Sequence, residues 1–431
     1  MVDTDPSLEA CVFLHGVRYE AGDGIRYLVR HAVVPPREAY VERTAVSVAL
    51  KSAYVGSMVQ EARGENAFVA FVHSHPHISR PTFSTADDVG ERLLAPFLKS
   101  RLGSSHHVSV IVGSDRWIAR EIGQDDPSEV EIVSVGAVIR HLSESLDLSV
   151  DHELHDRQIR AFGPIGQRAL KGLRVAIVGV GGTGSVVAQQ LAHLGIGRLR
   201  LVDFDSIERS NLNRLVGATP EDVGTPKVNA VARHVRSIAP SCDVTAEKAD
   251  VLSHKVAISL LREDFVFGCT DSHGSRAVLN QLAYQYFLPC VDVGVGIHVK
   301  NGQLQRIVGR AQMLAPGLGC LTCGNLLDAG QVRIDFMTPS ERRADPYFVG
   351  AVVEQPAVIS INATVASLGV SMAVSAVTGA PMHARLALYD GVQGVVRSAT
   401  VDPVPRCVVC SEMGALGRGP TWELPSRSAG H

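Results

Sequence analysis

The sequence predicts two α/β domains in one chain, the second built on a mainly parallel sheet. Three observations carry that expectation. The 431 residues exceed the roughly 250 to 300 at which a single core stops growing. Apolar strand-like runs alternate with helical stretches along most of the length. Near the middle, a Gly-rich turn stands between a strand and a helix, the layout of a phosphate-binding unit. With 45% hydrophobic and 20% charged residues and a formal net charge of -3, the composition gives no general drive toward nucleic acid. No apolar run is read as a membrane span of about 20 residues. The opening MVDTDPSLEA lacks the basic and apolar regions of a signal peptide, so a cytoplasmic protein is expected. Eight Cys in so long a chain are too few for a disulfide framework, and four of them form two CxxC pairs that read as metal ligands.

Residues 1–145 form the first expected domain. EACVFLHG, RYLVRHAVV, AFVAFVHSHP and HVSVIVGS are short β-rich runs separated by polar turns and helical stretches, and EVEIVSVGAVI is the last expected strand. The polar RHLSESLDLSVDHELHDRQIR leads into the second expected domain, residues 146–412. This domain opens as strand, turn, helix and strand in LKGLRVAIVGVGGTGSVVAQQLAHLGIGRLRLVDFD and continues through FVFGCTD, LPCVDVGVG and ALYDGV. Residues 413–431, rich in Gly, Ser and Pro, are expected as a mobile tail. No internal repeat is found.

In the first domain, AFVAFV suggests a strand running into HSHP. Residues two apart on a strand share a face, so His73 and His75 can share one zinc ion. Pro76 ends the ladder and the loop beyond it can return Asp87 as a third ligand, leaving a fourth position for water. A nearby Glu would be general base, and Ser84 would hydrogen-bond the oxyanion of a carbonyl intermediate. The run His73, Ser74, His75, Pro76, then Ser84 and Asp87 resembles the zinc signature of the JAB1/MPN/Mov34 (JAMM) metalloproteases, which remove ubiquitin and process ubiquitin-like proteins. EACVFLHG is similar to that family's E-x-x-x-x-L-x-G segment, which implies Glu9 as the catalytic acid/base. The resemblance covers roughly residues 8 to 125. His77 and Asp88 read as neighbours of the site.

In the second domain, GVGGTGS supplies Gly179, Gly181, Gly182 and Gly184 between strand and helix, where bare amides favour phosphate. A GxGxxG alone equally suits a dinucleotide dehydrogenase. Its neighbours fit ATP better: Asp203 lies at the distance of a ribose-binding carboxylate, Asn213, Arg214 and Lys227 suit a triphosphate, and Asp271 offers oxygen to magnesium. DRQIRAFGPIGQRAL, GVGGTGS, VDFDSIERSNLNR, VGTPK, CTD and the CxxC pairs together resemble ThiF-type adenylyltransferases of thiamine and molybdopterin synthesis and the related ubiquitin-activating enzymes. The resemblance spans roughly residues 153 to 412. It implies that Asp203 binds ribose, that Asn213, Arg214 and Lys227 contact phosphates, and that Asp271 binds magnesium. It also implies that Arg157 reaches the γ-phosphate from the other subunit of a homodimer.

Cys320 with Cys323 and Cys407 with Cys410 offer the four thiolates of a closed structural zinc site. The remaining cysteines are Cys11, Cys242, Cys269 and Cys290. No Cys lies between Cys323 and Cys407, where ubiquitin-activating relatives carry a thioester nucleophile, so adenylation alone is expected. DFMTPSERRADPYF is read as a crossover segment over the substrate tail. The combined expectation is a bifunctional enzyme that trims or deconjugates a ubiquitin-like protein and adenylates its C-terminal carboxylate, with a conjugating enzyme as a further partner. One alternative is a sulfur-carrier enzyme of cysteine, thiamine or molybdopterin type, acting on a β-grasp carrier. Another is a scaffold that binds the modifier without chemistry. Chains joining these two modules resemble bacterial proteins encoded with ubiquitin-like conjugation systems, some linked to antiphage defence.

Overall fold

The computed structural model describes residues 7–22, 24–114, 116–124, 130–142, 148–338, 341–342 and 356–427. The chain divides into two compact units. One takes in the chain up to Ser134, Arg140–Leu146 and Gly417–Trp422; the other takes in Val135–Ile139, Asp147–Leu416 and the chain from Glu423.

In the first unit, β1 (Cys11–Ala21), β2 (Gly24–Val33), β5 (Ala67–Ser74), β6 (Val108–Val112) and β7 (Trp117–Glu121) form one sheet in the order β2-β1-β5-β6-β7. β3 (Tyr40–Arg43) pairs with β4 (Val48–Leu50), and β8 (Val133–Ser134) with β9 (Arg140–His141). The central β5 is a nearly continuous apolar run because both faces of the sheet are covered. On one face, Phe13 and Val69 meet Met58 and Val59 of α1 (Ser52–Glu61) and Leu98 of α2 (Thr85–Leu102). On the other, Phe68, Ala70 and Val72 pack with Val108, Val110 and Ala119. Helix α2 starts where Ser84 and Asp87 form a reciprocal capping box and stops at Gly103, whose φ of 71° suits glycine.

The second unit carries an eight-stranded sheet in the order β12-β11-β10-β13-β14-β15-β16-β17. Its strands are β10 (Arg174–Val178), β11 (Arg198–Val202), β12 (Asp243–Glu247), β13 (Phe265–Gly268), β14 (Cys290–Lys300), β15 (Gln303–Leu314), β16 (Leu386–Asp390) and β17 (Val395–Ser398). The first five run parallel. From β14 to β17 every pairing is antiparallel, so the sheet is mixed where the sequence predicts a mainly parallel one. The cause is a tight hairpin: Asn301 and Gly302, both at positive φ, turn β14 straight into β15.

Among the described residues, seven α-helices accompany this sheet: α3 (Asp156–Gly172), α4 (Gly184–His193), α5 (Lys227–Ile238), α6 (His254–Ser259), α7 (His273–Gln285), α8 (Ala329–Phe336) and α9 (Ile359–Thr378). Helix α5 buries Val228, Val231, Ala232 and Val235, a single stripe at helical spacing. Helix α3 kinks at Gly163, before Pro164. Contrary to expectation, one segment is long and apolar enough to cross a membrane: α9 has 20 residues and a mean hydropathy of 1.5. Half of that window is buried, and Val365, Ala366 and Met372 lie in the core of this unit.

The expected mobile tail is corrected as far as Arg427. In the first unit, Gly419 lies against Val17 and Leu28. In the second, Leu424 is buried, Gln281 Nε2 donates to the Glu423 carbonyl at 2.6 Å, and Arg427 exchanges backbone hydrogen bonds with Leu252 and His254. Composition suggested a loose segment, whereas these partners satisfy its backbone. Residues 428–431 lie outside the described residues.

Candidate functional site

In the first unit, pairing of β1 with β5 sets Cys11 opposite His73, which brings Glu9 to the end of β5. The Glu9 backbone is fixed by its N–H to the Thr44 carbonyl at 2.8 Å and by Arg43 Nε donating to its carbonyl at 2.9 Å. Its carboxylate Oε1 stands 3.6 Å from His75 Nε2. His73 Nε2 stands 3.2 Å from Asp87 Oδ1. One donor atom from each of His73, His75 and Asp87 falls within 4.8 Å of the others. Zinc takes imidazole nitrogen and carboxylate oxygen as ligands, so this trio is a donor set that could hold a metal ion. A cavity of ≈ 170 Å³ opens beside it, walled by Cys11, Val48, Leu50 and Phe71.

Ser84 behaves differently from expectation. Its hydroxyl donates to Asp87 Oδ2 at 2.7 Å and accepts from the Asp87 N–H at 3.2 Å. A serine has one proton to give, and here it goes to the Asp87 carboxylate instead of facing an oxyanion. Asp88 pairs with the buried Arg120 at 2.7 Å, and His77 is exposed with a ring nitrogen 3.3 Å from the Ser7 carbonyl, so both are neighbours.

Electrostatics divide the two carboxylates. Burial pushes the Glu9 carboxyl above its usual range, with His73 opposing and Asp87 reinforcing the shift. Burial acts the same way on Asp87, but hydrogen bonds from His73 and Ser84 outweigh it and hold that group well below the carboxylate range. Burial, then the His73 charge, lowers His75 against an opposing pull from Asp87, a direction that favours the neutral ring with its free electron pair.

In the second unit, the loop after β10 lies where strand order reverses, with β11 on one side and β13 on the other. Gly179 takes φ 86°, and a side chain on Gly184 would meet the Gly179 carbonyl oxygen at 1.9 Å; both positions demand glycine. Asp203 ties the loop down: its Oδ2 accepts from Val180 N–H and its Oδ1 from Asp205 N–H, each at 2.8 Å. Burial pushes its carboxyl upward, and the Asp205 amide and Lys227 partly reverse this. Lys227 Nζ bonds Asp205 Oδ2 at 2.6 Å. The Arg214 stem lies over Gly182, and its Nη1 donates to the Ser210 carbonyl at 2.7 Å. Two of the three expected phosphate ligands, Arg214 and Lys227, are therefore held on protein acceptors. Asn213 is exposed. Nothing stands within 4 Å of a side chain built on Gly181, which leaves room beside the loop.

Gly179 also touches Cys269, and the chain runs from there through Thr270 to the exposed Asp271. This carboxylate has no hydrogen-bond or ion-pair partner among the described residues, and as a hard oxygen donor it suits magnesium. Arg157 is exposed on the first turn of α3. Of the expected crossover segment, residues 339–340 and 343–348 lie outside the described residues.

The four CxxC cysteines do converge. Sγ separations are 3.6 Å for Cys320–Cys323, 3.5 Å for Cys320–Cys407 and 3.3 Å for Cys323–Cys410. Zinc–sulfur bonds of about 2.3 Å give tetrahedral edges of about 3.7 Å, so four thiolates fit one ion. Val404 N–H points at Cys323 Sγ and Val409 N–H at Cys407 Sγ, contacts that stabilise sulfur anions. Hydrogen bonding from Cys410 draws the Cys320 thiol down to about 5.

Sequence reasoning passed over three groups. Asp205, the second Asp of VDFD, holds Lys227. Asn362 of α9 reaches over the loop, its Nδ2 only 2.4 Å from a side-chain position on Gly182. Asp292 is 2% exposed between Arg276 and Arg310. The doubled Asp was a local signal, whereas the other two are set by tertiary structure.

Residues 155–409 match the ThiF family. The SAMP-activating enzyme E1 of Haloferax volcanii is 31% identical over 276 residues, covering 62% of this chain and 93% of that protein. The sulfur carrier protein adenylyltransferase of Thermus thermophilus is 32% identical over 254 residues, 58% of this chain and 86% of that protein. The molybdopterin-synthase adenylyltransferase of Escherichia coli is 29% identical over 262 residues, 60% of this chain and 96% of that protein.

Proposed function

Because the chain belongs to the ThiF family, we propose that its second unit activates the C-terminal carboxylate of a sulfur-carrier or ubiquitin-like β-grasp protein by ATP-dependent adenylation. The observation that carries this reading is the Gly179–Gly184 loop, tied to Asp203 at the switch point of the sheet. In the reaction, a carboxylate oxygen attacks the α-phosphorus. The bond from that phosphorus to the bridging oxygen breaks, and pyrophosphate leaves with the electron pair. The product is an acyl-adenylate, whose AMP is a far better leaving group than oxide.

Each residue has work within that step. Loop amides cradle phosphate, and Asp203 keeps lone pairs for a ribose hydroxyl. Lys227 and Arg214 exchange protein acceptors for phosphate oxygens, aided by Asn213. Asp271 would hold magnesium, which supplies charge neutralisation on the triphosphate. Arg157 of a second copy meets the γ-phosphate in a homodimer. Cys320, Cys323, Cys407 and Cys410 would hold a structural zinc.

The names of the relatives favour a sulfur carrier as the substrate. Thiol chemistry agrees. Burial lifts Cys11 to about 12 and Cys242 to about 11, and pushes Cys269 and Cys290 well above the thiol range. Each shift favours the protonated thiol over the thiolate that a nucleophile needs. The adenylate then passes to a sulfur donor or to a conjugating enzyme's thiol. Mass spectrometry of the carrier after incubation with magnesium and ATP tests this: a mass gain of one AMP is expected, and an unmodified carrier contradicts it.

The geometry of His73, His75, Asp87 and Glu9 favours a second activity in the first unit, a JAMM-type hydrolase that trims or releases the same carrier. The three residues would hold zinc, which when bound would supply an acidified water and polarise a carbonyl. Glu9, its carboxyl raised by burial, accepts a proton from the attacking water and hands it to the leaving amine. Cleavage of a carrier extended beyond its C-terminal Gly is the test. If neither activity appears, the chain is a modifier-binding scaffold.

A further inference from the structure

Three charged side chains beside the nucleotide loop have no role in the account so far. Arg276, on the first turn of α7, reaches over Gly294 of β14 to Asp292, with Nε 3.4 Å from Asp292 Oδ1. Its Nη2 lies 2.8 Å from a side-chain position on Gly294. Arg310 of β15 takes the other carboxylate oxygen and also donates to Gln312 at 2.8 Å. Asp292 is 2% exposed, Arg276 17% and Arg310 14%. Two positive charges and one negative leave a net positive charge in a poorly hydrated place, which calls for an anion.

Arg276 is the group left open. Its Nε is buried without a hydrogen bond, and its two terminal nitrogens have no partner among the described residues. A guanidinium whose fork is unfilled matches a carboxylate.

Location selects which anion. Asp292 pairs in register with Gly268, the last residue of β13, so Gly294 lies beyond the parallel ladder. That is the carboxyl edge of the sheet, where ligands bind. Lys227 with Asp205 stands on the β11 flank of the Gly179 loop, and Arg276 on the β13–β14 flank. Lys227 and Arg276 thus flank the loop from opposite sides in the strand order.

We propose that Arg276 binds the C-terminal carboxylate of the acyl donor and aims it at the α-phosphate, while Asp292 and the missing side chain of Gly294 position its guanidinium. This rests on the adenylation reading. The test is ATP–pyrophosphate exchange by the full chain, using a β-grasp carrier protein ending in a free Gly-Gly. Arg276→Ala should raise the carrier KM at least tenfold and leave the ATP KM within twofold. Arg276→Lys, lacking the fork, should recover only part of the loss. Gly294→Ala keeps the charge but displaces the guanidinium, and should raise the carrier KM too. Amidating the carrier's C-terminus should weaken its binding to the wild type tenfold and leave binding to Arg276→Ala unchanged. A rise in ATP KM instead marks Arg276 as a phosphate contact and overturns the proposal, as does no change in either KM. No exchange by the wild type overturns the adenylation reading, and this one with it.

Discussion

In the first unit, His73, His75 and Asp87 each place a donor atom within 4.8 Å of the others, beside an open cavity. In the second, the groups around the glycine loop come from residues as far apart as Gly179 and Asn362, and Lys227 and Arg214 are bonded to carboxylate and carbonyl oxygens. A metal site must pre-assemble its donors because the ion brings no shape of its own. A nucleotide brings several charges, so a site for one is gathered from strand ends, with cations that have protein acceptors of their own. The contrast predicts that single changes in either region abolish one activity and spare the other.

The largest break is Asp271→Ala, which should lower ATP–pyrophosphate exchange about 1,000-fold or more through loss of magnesium, while cleavage of an extended carrier continues. Unchanged exchange would take Asp271 out of the magnesium site. Almost as large is His75→Ala or Asp87→Ala. Cleavage should disappear and bound zinc fall by one ion per chain with exchange intact, and parallel loss of both activities would erase the distinction between the regions. Next comes the closed site: replacing Cys320 and Cys323 with Ser should release the other zinc and lower Tm by roughly 6 to 12 °C, the shift expected for about 3 kcal/mol in a domain of this size. Normal melting of that zinc-depleted variant would argue against a structural ion. Ser84→Ala is the mildest, removing a helix cap of about 1 kcal/mol and reducing cleavage about tenfold as Asp87 loosens. Full cleavage activity in that variant would show that Asp87 needs no help from the cap.

How far each region was legible follows the same contrast. HSHP and SxxD were readable because strand alternation and one short loop suffice to join them. The spacing that nominated Ser84 and Asp87 is also the signature of a capping box, and the structure uses it as one. The glycines and Asp203 were readable as a local strand–turn–helix unit. Asn362, Arg276 and Asp292 were not, because sheet order and helix packing bring them in, whereas Asp205 stands two residues after Asp203 in VDFD and was a local signal. The Asn301–Gly302 hairpin signal was local and was overlooked in favour of a parallel sheet. The tail's polar composition concealed Arg427, whose backbone joins Leu252 and His254 and whose side chain reaches Asp250 at 3.2 Å.

The measurement that bears most directly on the central claim is exchange of labelled pyrophosphate into ATP, with and without a β-grasp carrier ending in a free carboxylate, followed by a reductant-sensitive gel. The account predicts exchange that requires the carrier and leaves no thioester on this chain. Absence of carrier-dependent exchange would contradict adenylation, and a thioester on this chain would contradict the assignment of its four remaining thiols as protonated and inert.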